Sequence, residues 1–190
     1  QDVRRAGEEF QEGATILEKG IVLKARQIAL LSAIGQSRVP VYDKPTVSLL
    51  ITGTELARHD DRDIKPYQVR DANSPMLHSA VIEAGGSLLD FIHVEDSLQS
   101  TIEQMANALA KKGDIILCSG GVSVGRHDHV KEAAKEVGFS ELFWKIKQKP
   151  GKPLFVAKHN QTLLFGLPGN PVSAFMCFQN FVMPTLAALQ

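Results

Sequence analysis

The sequence predicts an α/β fold, a three-layer α/β/α sandwich around a mostly parallel sheet, preceded by a short β/α segment of a neighbouring domain. Three observations carry this. Short apolar runs, TVSLLIT (46–52), SLLDFIHV (87–94) and DIILCS (114–119), read as strands apolar on both faces. Stretches of helical period separate them, and Gly, Pro, Asn and Ser punctuate the junctions. Strands buried on both faces, each followed by a helix, require helices on both sides of a parallel sheet.

Residues 1–44 differ from the rest and read as the C-terminal part of a preceding linker-type domain. Gly7, Gly13 and Gly20 punctuate short β-type pieces, and one helix near Lys24 to Ile34 is stopped by Gly35. Residues 45–190 carry the alternation. After strand 46–52, ANSPMLHSAVIEAG reads as a helix opened by Asn73 or Ser74, with Pro75 in its first turn and Gly85 at its end. After strand 87–94, SLQSTIEQMANALAKKG reads as an amphipathic helix capped by Asp96 or Ser97 and closed by Gly113. Strand 114–119 leads into a glycine-rich turn and a helix from about His129 to Val137. The tail adds two or three strands and a long final helix starting near Pro171.

Bulk properties exclude several classes. Across 190 residues, 21 basic and 21 acidic side chains leave a formal net charge of zero, so no nucleic-acid or anionic-membrane partner is indicated. No apolar run approaches the length of a bilayer span and no signal-peptide pattern appears, so a cytoplasmic location is expected. The two cysteines, Cys118 and Cys177, sit in apolar surroundings and read as core thiols. His127 and His129 are two apart and would not share a helix face, which argues against zinc.

Ligands of such sheets bind where strand C-termini meet helix N-termini. In CSGGVSVGRHDH (118–129), Gly120, Gly121 and Gly125 permit close approach to backbone N–H groups, and Ser119 and Ser123 add hydroxyls ahead of a helix. That describes an anion cradle, though a plain turn would use similar residues; the Walker A and dinucleotide patterns do not fit. In KIKQKPGKPL (145–154), strand alternation would put Lys145, Lys147 and Lys149 on one face, with Pro150, Gly151 and Pro153 aiming Lys149 and Lys152. A basic edge strand that discourages aggregation is the plainer alternative. In GLPGNPVSAF, Pro168, Gly169, Asn170 and Pro171 lead into a helix with Ser173 in its first turn, either as ordinary helix-starting grammar or as a second N–H surface for an oxyanion. Glu55, Asp71, Asp96 and Asp128 stand at strand ends, as helix caps or as oxygen ligands of a hard cation such as Mg²⁺.

The ensemble of TGTEL, VRDANSPML, SGGVSVGRHDHVKEA, KQKPGKPLF and GLPGNPVSAF, in this order and spacing, resembles the molybdopterin molybdenumtransferases, the molybdenum insertases whose family includes the C-terminal enzyme domain of gephyrin. The resemblance implies the molybdopterin-binding domain fold for residues 46 to 187. It implies an enzyme of molybdenum cofactor biosynthesis that takes adenylylated molybdopterin and molybdate and, with Mg²⁺, releases AMP. By the same resemblance Thr52, Gly53, Ser119, Gly120, Gly121, Ser123 and Gly125 belong to the pterin phosphate and nucleotide side. Glu55 and Asp128 would stand near the metal, and Asp96 matches another acidic position. Lys149, Lys152, Pro153 and Ser173 match the molybdate pocket, with Lys145 in support, and Pro168, Gly169, Asn170 and Pro171 are further cofactor-binding positions. Thr54 and Ser97 depart from the family's usual acidic residues. The resemblance further implies domains before residue 1 and after residue 190, and a homodimer. The adenylyltransferase branch of the same fold usually carries Gly-Gly-Thr-Gly where this chain reads Gly-Gly-Val-Ser-Val-Gly, which favours the insertase. A non-catalytic molybdopterin-binding scaffold is the alternative from another class.

Overall fold

The computed structural model describes residues 3, 5–58, 60–122 and 129–190. It divides into two compact units, Gln1–Tyr42 and Asp43–Gln190. In the first, the helix α1 (Ala25–Ala33) forms where the sequence predicts one. The β-type pieces do not form strands among the described residues. Gly7, Gly13 and Gly20 adopt φ of 82°, 83° and 86°, so the chain turns too often to leave a pairable run.

The second unit has the predicted sandwich. Its elements are β1 (Thr46–Thr52), β2 (Leu56–Ala57), β3 (Val69–Arg70), α2 (Asn73–Glu83), β4 (Ser87–Val94), α3 (Leu98–Ala110), β5 (Ile115–Ser119), α4 (Val130–Val137), β6 (Ser140–Trp144), β7 (Phe155–His159), β8 (Thr162–Leu167), α5 (Pro171–Cys177) and α6 (Met183–Ala188). A six-stranded sheet runs in the order β4-β1-β5-β8-β7-β6. The first four are mutually parallel, and β7 and β6 are added antiparallel.

Alternation along the central strands sorts their side chains into two cores. Val47, Leu49, Ile51, Ile115, Leu117, Phe165 and Leu167 pack with Leu77 and Val81 of α2 and with Cys177, Phe178, Val182 and Leu186 of the C-terminal helices. Leu50, Ile116, Cys118 and Leu164 face the other way, onto Met105 and Ala108 of α3 and Val130, Ala133 and Ala134 of α4.

Three expectations are corrected. β4 is not buried on both faces: it is an edge strand of the sheet, with Leu89, Phe91 and His93 exposed. The final helix is not uniform, because α5 and α6 are joined by a π-helical segment, Phe178–Val182. Lys145, Lys147 and Lys149 do not share a strand face, because β6 ends at Trp144 and Lys145 turns the chain at a φ of 65°. The Lys145 ammonium instead lies 3.9 Å from the centroid of the Trp144 ring, while Lys145 and Ile146 N–H still donate to Leu154 O and Lys152 O at 2.9 Å across the loop.

Candidate functional site

The parallel strands β4, β1, β5 and β8 all point their C-terminal ends to one rim. Because β7 runs against β8 and β6 against β7, the loop between β6 and β7 returns to that same rim. The glycine-rich turn after β5, the lysine loop 145–154 and the start of α5 are therefore brought to one end of the sheet by topology alone.

At the centre of the rim the strand ends lock together through short polar contacts. Thr52 Oγ1 donates to the Ser119 carbonyl at 3.3 Å, and Gly120 N–H donates to the Leu167 carbonyl at 3.1 Å. Gly120 has φ 92°, and a Cβ there would stand 2.6 Å from Thr52 Oγ1 and 2.8 Å from Thr52 O. Glycine is required by both conformation and space. Gly121 follows at φ 66°, and its carbonyl accepts from Val130 N–H at 3.1 Å, which starts α4 under the turn.

Asn73 joins this cluster, although sequence reasoning saw only a helix opener. Its Nδ2 donates to Ser119 Oγ and to the Gly169 carbonyl, each at 2.8 Å, so α2, β5 and the loop before α5 meet at one carboxamide. No local pattern announces contacts spanning 46 and 96 residues. Asp71, predicted as a cap or ligand, is a cap. Buried, it accepts from Ser74 N–H at 3.0 Å and from the Ser74 hydroxyl. The exposed His93 Nε2 lies 3.8 Å from it.

The short parallel ladder of β2 on β3 pins TGTEL to the segment before α2, with Val69 N–H donating to Glu55 O at 2.9 Å. Glu55 itself is exposed, and its carboxylate curls back so that a Cβ at Gly53 would stand 3.0 Å from one oxygen and 3.1 Å from the other. Asp96 is half-buried just beyond β4, and the neighbouring Ser97 caps α3 by accepting from Ser100 N–H at 3.2 Å. Among the described residues no group of three or more His, Cys, Asp or Glu is arranged to hold a metal. The predicted Ser123, Gly125 and Asp128 lie outside the described residues, as do Arg126 and His127.

On the lysine side, Lys145, Lys149 and Lys152 are exposed while Gly151 between them is buried. Gly151 has φ 108°, and a Cβ there would meet Gln148 Nε2 at 2.6 Å and Cys177 Sγ at 2.7 Å. Gln148 donates to Pro150 O at 2.9 Å and accepts from Asn180 Nδ2 at 3.0 Å. Pro153 is half-buried ahead of Leu154, whose side chain is in the core. Pro168 is buried, and Pro171 occupies the first turn of α5. Asn170 caps that helix, accepting from Ser173 N–H at 3.1 Å and from its hydroxyl at 3.3 Å. Ser173 and Cys177 are four apart and share a helix face, so the first turn of α5 stands next to the lysine loop. A separate hollow of about 410 Å³ is lined by Lys131, Glu132, Lys135, Phe139, Glu141 and Phe155, and includes none of these rim residues.

Residues 48–188 match a family described as the probable molybdopterin binding domain. The chain is 36% identical over 185 residues to the molybdopterin molybdenumtransferase of Bacillus subtilis, covering 97% of this chain and 43% of that protein. It is 34% identical over 190 residues to that of Haemophilus influenzae, covering all of this chain and 46% of the relative. The molybdopterin biosynthesis MoeA protein of Pyrococcus horikoshii superposes with a TM-score of 0.83 at 31% identity, over 96% of this chain and 45% of that structure. The chain thus spans about half the length of the curated relatives it matches. With the sheet order, the strand-end rim and the family match in agreement, the chain belongs to the family of probable molybdopterin binding domains.

Proposed function

We propose that the protein carrying this chain is a molybdopterin molybdenumtransferase, acting in the cytoplasm in molybdenum cofactor biosynthesis. It binds adenylylated molybdopterin and molybdate, releases AMP, and leaves molybdenum on the dithiolene. The observation that supports this reading is the convergence on one rim of two segments whose chemistry suits oxyanions. A glycine and serine turn lies at the end of β5, and a lysine loop is braced against α5.

The residues divide the work by their chemistry. The Ser119 hydroxyl and the N–H groups of Gly53 and Gly121, with Ser123 and Gly125, hold phosphate without adding net charge, while Thr52 and Gly120, whose hydroxyl and N–H are given to Ser119 O and Leu167 O, shape the turn that presents them. Lys149 and Lys152, supported by Lys145, neutralise the molybdate dianion, while Ser173 and the α5 N-terminus orient its oxygens. Asp96 belongs to the acidic side of the rim. Glu55, an exposed carboxylate at the end of β1, has the hard oxygen donors that suit Mg²⁺, and Asp128 is its proposed co-ligand. When bound, Mg²⁺ supplies charge neutralisation at the phosphate oxygens. The working assembly is a homodimer.

The test is AMP release by the full-length protein supplied with adenylylated molybdopterin, molybdate and Mg²⁺. Molybdate-dependent release supports the transferase. Binding of the pterin nucleotide with no release would instead make the domain a scaffold. Asp128→Ala is expected to slow AMP release at every molybdate concentration, whereas Lys149→Ala raises the molybdate concentration required.

A further inference from the structure

The orientation of the Asn73 carboxamide is decided by its partners. A backbone carbonyl can only accept, so the group facing Gly169 O at 2.8 Å is the NH₂. The second hydrogen of the same nitrogen then goes to Ser119 Oγ, also at 2.8 Å. This occupies the hydroxyl as an acceptor and leaves its own hydrogen to be given elsewhere. Among the described residues no acceptor takes it. Thr52 does not compete, because its hydroxyl is turned to the Ser119 carbonyl. Ser119 is 1% exposed and Asn73 7%, so the two bonds of the Asn73 amide nitrogen are shielded from solvent. Asn73 Oδ1 is also buried without a partner among the described residues. Its remaining unpartnered fits a carboxamide whose orientation is set by the NH₂ side.

We propose that Asn73 is a positioning residue that poles Ser119, making the Ser119 hydroxyl a dedicated hydrogen-bond donor to a phosphate oxygen of the bound ligand. The ligand's identity rests on the function proposed above; the direction of the Asn73 to Ser119 bond does not. A freely rotating serine would be donor or acceptor as its surroundings demanded. Here a neutral amide fixes the choice before the anion arrives, so no reorientation is needed on binding.

A double-mutant cycle on the full-length protein tests this, with dissociation constants for adenylylated molybdopterin as the readout and thermal unfolding to verify folding. Ser119→Ala should weaken binding about ten- to a hundredfold, the range for a hydrogen bond to a charged group. Asn73→Ala should weaken it about three- to tenfold, and that loss should vanish in the Ser119→Ala background. Unchanged affinity in Ser119→Ala, or losses that multiply in the double variant, would overturn the proposal. Failure of the wild-type protein to bind adenylylated molybdopterin would sink the functional reading. A neutron diffraction map of the unliganded protein then decides the poling, as it also does if Asn73→Ala does not fold. The expected map shows deuterons on Asn73 Nδ2 directed at Ser119 Oγ and Gly169 O; a Ser119 deuteron directed at Asn73 would overturn it.

Discussion

Cys177 donates its thiol hydrogen to the carbonyl of Gly151 at 3.3 Å, fastening the lysine loop to α5, the helix that begins at the rim. The bond is weak in itself, but it is buried and reinforced by Gln148 and Asn180 on either side. Lys149 and Lys152 therefore project from a braced turn. Holding two cations near each other before an anion arrives lowers the ordering cost of binding.

Gly151→Ala should disturb that brace. Its φ of 108° disfavours a side chain, and the new methyl would press on Cys177 Sγ and Gln148 Nε2. A loss of about 1 to 3 kcal/mol in urea denaturation is expected, with weakened molybdate dependence. Wild-type stability would show that the loop relaxes freely and is not braced.

Gly120→Ala should be more damaging. The Cβ would meet Thr52 Oγ1 and a rigid backbone carbonyl, so the ends of β1 and β5 must part. We expect a loss of about 2 to 4 kcal/mol, read from the unfolding midpoint. A stability change below half a kcal/mol would contradict the tight junction described here.

Ser48 offers the opposite sign. Its hydroxyl is fully buried in the middle of β1 and has no hydrogen-bond partner among the described residues. Ser48→Ala removes that desolvated group and should raise stability by about 1 kcal/mol. A decrease in denaturation midpoint would mean that the hydroxyl is satisfied in solution.

Both thiols are held protonated by burial, Cys118 pushed up to about 12 and Cys177 to about 11, from an ordinary value of 9.0. Above pH 9 the unfolded chain releases these protons while the folded chain keeps them, so it is the unfolded state that binds fewer. Their contribution to stability is intact below pH 9 and falls as the pH climbs toward 11 and 12. Denaturation midpoints across pH 8 to 11 should therefore fall less steeply in a Cys118→Ala, Cys177→Ala double variant. Neither thiol should react with a disulfide reagent in the folded protein at pH 8, and rapid labelling without unfolding would refute their burial.

Legibility in the sequence followed the range of the forces involved. β1 and β5 could be read because strands covered on both faces must be apolar throughout. α3 was equally clear from its amphipathic period and its Ser97 cap. β4 misled because Leu89 and Phe91 are apolar yet exposed, and a sequence does not say which strand ends the sheet. The lysines misled because strand periodicity was extended past Trp144, where a positive φ ends it. Glycines of the rim were recognisable as turn residues, but the partner that makes Gly120 necessary, Thr52, is distant in sequence. Asn73 was invisible as a site residue for the same reason.

The antiparallel return of β7 also divides the sheet into a working end and a quiet one. At the quiet end, Thr46 N–H and its hydroxyl both donate to Asp114 Oδ2 at 2.8 Å, and Thr162 Oγ1 donates to Gly113 O at 2.8 Å. The turn from β7 to β8 is closed there by Asn160 at a φ of 51°, beside the exposed Gln161. A fluorophore or short tag attached at Gln161 would hang from the opposite edge of the sheet to the rim. It would report on the domain without touching the rim.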